Sequence, residues 1–233
     1  MSKRNYSPVG PHEVLEDLLA ELRRGKFLGV IRYIALRVRK DVIRWSMAVI
    51  KMELGIPTPL LTEDRGILEN VVLPYFADNG AFNRILFVGC NYYTWHYKRI
   101  FRNKEYWTIE PQILRAMFGA KRHVVGFMRQ IDQYFDEGSL DVIICNGVVG
   151  VGLNDPREIE ESFRKCFFCL REGGVLVIGW DDTKERVFLP FEKCASLKQF
   201  QPFVFSPLGK SQYTTHTQYR HTFTFYVKPK LEG

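Results

Sequence analysis

The chain reads as an α/β protein: a doubly wound, mostly parallel seven-stranded sheet with an antiparallel C-terminal edge hairpin and added N-terminal helices. Three observations predict this. Short apolar runs recur between residues 84 and 180, with helical or irregular stretches between them, the succession expected of a parallel sheet covered by helices. One of these runs, "SLDVIICNG" (139–147), is almost continuously apolar, as a strand buried on both faces should be. The tail then changes texture: "FQPFVFSP" (200–207) and "YRHTFTFYVKP" (219–229), joined by a polar loop containing glycine, fit two antiparallel strands.

The elements follow in order. In "HEVLEDLLAELRR" the apolar residues 14, 15, 18, 19 and 22 keep a helical period, closed by Gly25. Residues 27–53 continue it with Phe27, Val30, Ile31, Ile34, Val38, Ile43 and Met47, and "GIPTP" ends it. Thr62 opens a further helix, "TEDRGILENVVLPYF", with acids in its first turn where the helix dipole favours them. These patterns divide the chain into an amino-terminal helical segment, 1–62, and an α/β domain, 63–230.

The expected strands are 84–90 ("RILFVGC"), 105–111 ("EYWTIEP"), 123–127 ("HVVGF"), 139–147 and 175–180 ("VLVIGW"). Between the last two lies a helix, "DPREIEESFRKCFFCLREGG". Its Pro156 sits in the first turn, and Gly173-Gly174 stop it.

Composition excludes several classes. At 233 residues and 46% hydrophobic, the chain can bury a sizeable core. No run of 18 uncharged apolar residues occurs, so no membrane-spanning helix is expected. The opening "MSKRNYSPVGPHE" has no apolar run behind its basic residues, unlike a secretory leader. The five cysteines are scattered without zinc-ligand spacing, which fits reduced, buried thiols in a cytoplasmic protein. Net charge is +7, and residues 23–51 hold nine basic side chains against the single acid Asp41. A solvated helix face is the simpler account. Docking of this stretch on an anionic membrane surface is the alternative.

In an open parallel sheet, ligands bind beyond the carboxyl ends of the strands. The first strand ends at Gly89, which lets a backbone approach a ligand closely. The second ends at Glu110, a carboxylate suited to a ribose diol. The fourth ends at Asn146 and Gly147, a paired donor and acceptor beside open space. A P-loop is absent, and a dinucleotide pyrophosphate would need a fuller glycine turn than "GCNYY" offers, since Tyr92 and Tyr93 obstruct it.

On these residues the run from 84 to 180 resembles the core of the class I, Rossmann-like, S-adenosylmethionine-dependent methyltransferases. "ILFVGCNYY" stands where the family has a "VLDxGCGxG" motif, and Glu110 in "WTIEP" matches the acid after its second strand. The stretch through "CLREGGVLVIGW" resembles the family's fourth strand, helix, glycine turn and fifth strand, and the final pair of strands resembles its last two. The first sixty or so residues find no match.

The resemblance implies S-adenosylmethionine as cofactor, with Gly89, Cys90, Asn91, Tyr92, Glu110, Asn146 and Gly147 around it. It places Tyr93, His96 and Asp181 on the acceptor side. Two departures stand out. Phe87 replaces an acid, and Asn91 and Tyr93 replace glycines, so a catalytically inactive binding or regulatory protein on the same scaffold is the alternative.

Absent motifs narrow the acceptor. The fourth strand ends "CNGV" rather than in the [DN]PP[YF] of base amino-methyltransferases, and no Pro-Cys or Thr-Cys nucleophile is present. A small organic, acidic or phosphorylated, acceptor is therefore expected over nucleic acid. His96, His216, His221, Asp181 and Asp182 are the groups that could take a proton, and the sequence does not choose among them. His216 and His221 lack a third ligand nearby, so no metal is expected. The amino-terminal helices are expected to cap the crevice or to form a homo-oligomer face.

Overall fold

The computed structural model describes residues 42–183 and 193–230. The expected helix over 12–24 and most of the basic stretch of 23–51 lie outside the described residues. The chain divides into two compact units between Ile56 and Pro57. In the first, residues 42–53 are helical, and Ile43, Met47 and Ile50 along it are exposed.

The second unit begins with a helix in three parts. An α-helical turn, α1 (Glu63–Ile67), widens into a π-helical segment, Leu68–Val72, and continues as α2 (Leu73–Asp78). Thr62 sits at its N-cap in extended conformation without a side-chain capping bond. Then come β1 (Arg84–Val88), the single turn α3 (Tyr97–Ile100), β2 (Glu105–Ile109), β3 (Arg122–Val124) and β4 (Leu140–Asn146). The last part holds α4 (Pro156–Cys169), β5 (Leu170–Asp181), β6 (Gln201–Pro202), β7 (Gln212–Thr214) and β8 (His221–Val227).

The sheet order is β3-β2-β1-β4-β5-β8-β6, with β7 also paired to β8. The first five strands are parallel, and β8 runs antiparallel to β5, β6 and β7. The order reverses between β1 and β4, which is where such sheets open a ligand crevice.

Alternation builds two cores from strands that read as unbroken apolar runs. Leu86, Val88, Ile143, Cys145, Leu176 and Ile178 face α4 through Ile159, Phe163 and Cys166. Ile85, Phe87, Val142, Ile144, Val175 and Val177 face the other way, onto Leu68, Val72, Leu73 and Phe76. Tertiary packing thus holds the short, irregular helix 63–78 in place, more than its own propensity does.

Several boundaries differ from expectation for local reasons. The sheet has eight strands rather than seven, because the tail contributes two short segments, β6 and β7, paired to β8 instead of one hairpin. β3 is shorter than 123–127, because its partner β2 ends at Ile109 opposite Val124. α4 stops at Cys169 rather than at the glycines: Leu170 already pairs with Leu140. Gly173, at φ +71°, turns the chain within the extended segment. Asp155 caps α4 by accepting the amide N–H of Arg157 at 2.8 Å and of Glu158 at 3.2 Å. All five cysteines are free and buried. No helix among the described residues is long and apolar enough to cross a membrane.

Candidate functional site

A cavity of about 610 Å³ opens beyond the carboxyl ends of β1, β2, β3 and β4. β1 leaves the sheet at Gly89, whose φ of +87° favours glycine. Its amide still donates to Ile109 O at 2.8 Å, so the turn is pinned to β2. Beyond it, Asn91 and Thr94 form a compact turn: Thr94 Oγ1 accepts the Asn91 amide at 3.0 Å and donates to the Asn91 carbonyl at 2.9 Å. The only helix that follows closely is the four-residue α3. Among the described residues no helix longer than this single turn directly follows the loop, unlike the arrangement that cradles a pyrophosphate.

Glu110 is 3% exposed, and both of its carboxylate oxygens are engaged. Oε2 accepts the Cys90 amide at 3.1 Å and Oε1 accepts the Gln112 amide at 3.0 Å. The carboxylate is thereby fixed across the β1 and β2 loops, and each oxygen keeps a lone pair for a further donor. Burial pushes the thiol of Cys90 beside it up to about 12, against the opposing influence of Thr108 and Arg115.

At the end of β4, Asn146 faces His221 on β8. His221 Nε2 lies 3.1 Å from Asn146 Oδ1, and its Nδ1 lies 2.8 Å from Asp181 Oδ1. The carboxylate holds Nδ1 protonated. A neutral imidazole then needs the Asn146 NH2 turned toward Nε2, whereas an imidazolium takes its oxygen. The other half of the Asn146 amide, with Nδ2 buried and without a protein partner, is left for the cavity that Asn146 lines.

Residues expected from the sequence divide into two groups. Gly89, Cys90, Asn91, Tyr93, Glu110, Asn146 and Gly147 line the cavity together. Tyr92, His96 and Asp181 are not among its lining residues. The Tyr92 carbonyl accepts from Thr58 Oγ1 at 3.0 Å. His96 turns toward Glu69, with Nε2 3.6 Å from Oε2, because α3 directs it onto the helix 63–78. Asp181 serves His221 instead of the crevice. His216 lies apart, its amide donating to Glu63 Oε2 at 3.0 Å. Among the described residues no group of three or more His, Cys, Asp or Glu side chains could hold a metal ion.

The structure adds residues that sequence reasoning missed. Gly126, Phe127 and Met128 after β3 line the cavity. The strand-end rule applied to the third strand would have found them. Arg115, with a buried Nε lacking a partner, and Arg65 from α1 also line it. No sequence signal marks either.

No protein-family model and no curated protein matches the chain. Solved structures share its fold at low identity. The N-methyltransferase NodS from Bradyrhizobium japonicum WM9 aligns with a TM-score of 0.56 at 13% identity, over 73% of this chain and 100% of that one. The same protein in complex with S-adenosyl-L-homocysteine gives 0.54 at 15%, over 73% and 94%. A TehB-like SAM-dependent methyltransferase from Corynebacterium glutamicum gives 0.54 at 15%, over 83% and 99%. The [4+2]-cyclase SpnF, at 0.52 and 11% over 71% and 81%, has the fold as well, so the fold by itself does not settle the reaction.

Proposed function

From the class I methyltransferase fold that the chain adopts, we propose that it binds S-adenosylmethionine and transfers its methyl group to a small organic acceptor. One observation carries the reading. A glycine turn, an immobilised carboxylate and a half-satisfied amide converge on a single cavity.

The residues present fit this cofactor. Glu110 is held ready to accept from a ribose diol. Gly89 leaves room, since a Cβ there would meet only Val148, at 3.4 Å. Buried Arg115 Nε and Asn146 Nδ2 await partners. Phe87, where the resembling family has an acid, is filled into the apolar layer against Tyr97, ring centroids 5.3 Å apart. The loss of that acid therefore leaves a packed core and not a hole.

When bound, the cofactor supplies an electrophilic methyl group. The chain's task is then to position an acceptor and exclude water. Asn146 and Gly147 form the wall that an acceptor would meet, and Asn146 offers it a donor or an acceptor according to the state of His221. His221 is not among the residues that line the cavity, so it orients the Asn146 amide and takes no proton directly from an acceptor. The acceptor we favour is small and acidic rather than nucleic acid: Arg65, Arg115 and Arg129 line the cavity against Glu110 and Glu158.

Isothermal titration with S-adenosylmethionine and S-adenosylhomocysteine tests the reading. Dissociation constants at or below roughly a micromolar, about 8 kcal/mol, are expected. No heat for either ligand would reject it in favour of a non-catalytic scaffold.

A further inference from the structure

We propose that the helix 42–53 docks on an anionic lipid bilayer, lying in the headgroup plane with its apolar stripe inserted. The inference concerns the first compact unit alone and holds whether or not the crevice takes a methyl donor. This helix already has an inward face: Ala48 is buried and Trp45 partly so. Its outward face should then be polar. Instead Ile43, Met47 and Ile50, spaced by four and three residues, form one stripe and are 53%, 50% and 52% exposed. Leu54, in the turn that ends the helix, carries the stripe on at 68%. A solvated basic face therefore does not describe this part of the chain.

The charges beside the stripe select its occupant. Arg44, exposed, and Lys51, partly exposed, lie one above the other along one edge of the stripe. Seven more basic residues precede them in the sequence between 23 and 40, where no acid occurs. Glu53, the acid within the helix, lies on the opposite edge. A second copy of this chain would set like cations against Arg44 and Lys51, and about three helical turns are too few to sustain a paired helix. A bilayer makes no such demand. Its acyl boundary takes up the stripe, and anionic headgroups neutralise the cations without matched partners. The helix lies on the membrane and does not cross it, since no described helix is long and apolar enough to do so.

Co-sedimentation of the full chain with extruded vesicles tests this, using phosphatidylcholine alone and phosphatidylcholine with about one-third phosphatidylserine. The wild type should bind the anionic vesicles at least about tenfold more tightly, and about 0.5 M salt should remove most of that preference. Met47→Ser/Ile50→Ser should bind the anionic vesicles about tenfold or more weakly, through lost insertion. Arg44→Gln/Lys51→Gln should bind them roughly 10- to 30-fold more weakly and leave binding to the neutral vesicles unchanged. No sedimentation of the wild type with anionic vesicles at physiological salt, or equal binding to both compositions, would overturn the proposal. Unchanged binding by either double variant would also overturn it, because the lipid contact would then lie elsewhere. A lipid-free dimer in sedimentation velocity that Met47→Ser/Ile50→Ser dissociates would assign the stripe to a second copy instead. Should the serine variant fail to fold by circular dichroism, the surface variant Arg44→Gln/Lys51→Gln decides alone.

Discussion

Gly179 and Asn146 are paired across β5 and β4, and a Cβ on Gly179 would lie 1.8 Å from Asn146 Oδ1. The same atom would stand 2.9 Å from His221 Nε2. The glycine is therefore the space into which the Asn146–His221 contact fits. Gly179→Ala should displace the amide and cost about 1–3 kcal/mol through overpacking. Differential scanning calorimetry should show a lower Tm, by about 2–4 °C per kcal/mol. An unchanged Tm would mean that β4 and β5 can part without loss.

Glu110→Gln replaces a carboxylate that accepts two backbone N–H groups with an amide that can accept on one side only. Its NH2 must face the amide of Cys90 or Gln112. Affinity for S-adenosylhomocysteine should fall by roughly 10- to 100-fold, as expected for lost hydrogen bonds to a charged acceptor. Full affinity in titration calorimetry would assign the ribose to another group.

Asp141 ties the amino ends of three strands. Its carboxylate accepts the amides of Asn83 and Arg84, both at 2.7 Å, and pairs with Arg171. Burial opposes its ionisation, yet the Arg84 amide, Arg171 and the Asn83 amide outweigh that and hold the carboxyl below its usual range. A folded pKa below the unfolded one gives stability that is complete above the unfolded value, about 3.9, and is lost as pH falls through the folded value. Asp141→Asn should therefore be less stable than the wild type at pH 7, by about 1–3 kcal/mol. The gap should narrow in urea titrations below pH 4, and a constant gap across that range would refute the assignment.

The five cysteines are buried, and burial pushes Cys90, Cys145 and Cys169 each up to about 12. At pH 8 the native protein should react with Ellman's reagent far more slowly than the unfolded chain, which should release all five equivalents. A fast native equivalent would expose a thiol that the fold covers.

Much of the frame was legible in the chain because it rests on local patterns. Apolar runs bounded by turns identify β1, β2, β4 and β5. The glycine after the first strand and the acid after the second identify two corners of the cavity, since strand succession alone brings such ends together. Boundaries were less legible. β3 is cut short by the end of its neighbour and α4 by the pairing of Leu170, and both depend on strands distant in sequence.

The sequence by itself determined the parallel core, the neutral glycine turn and the carboxylate at Glu110, because each is written within a few consecutive residues. Tertiary structure alone decided the partners of the side chains. It set Asp181 against His221 and His221 against Asn146, 40 and 75 positions apart, and turned His96 toward Glu69 instead of the crevice. It also buried Arg65 beside the cavity, where a basic residue in a helix pattern would otherwise read as a solvated face. The reason is physical: strand and helix tendencies follow from neighbouring residues, whereas a desolvated charge or a shared hydrogen bond exists only once distant segments have packed.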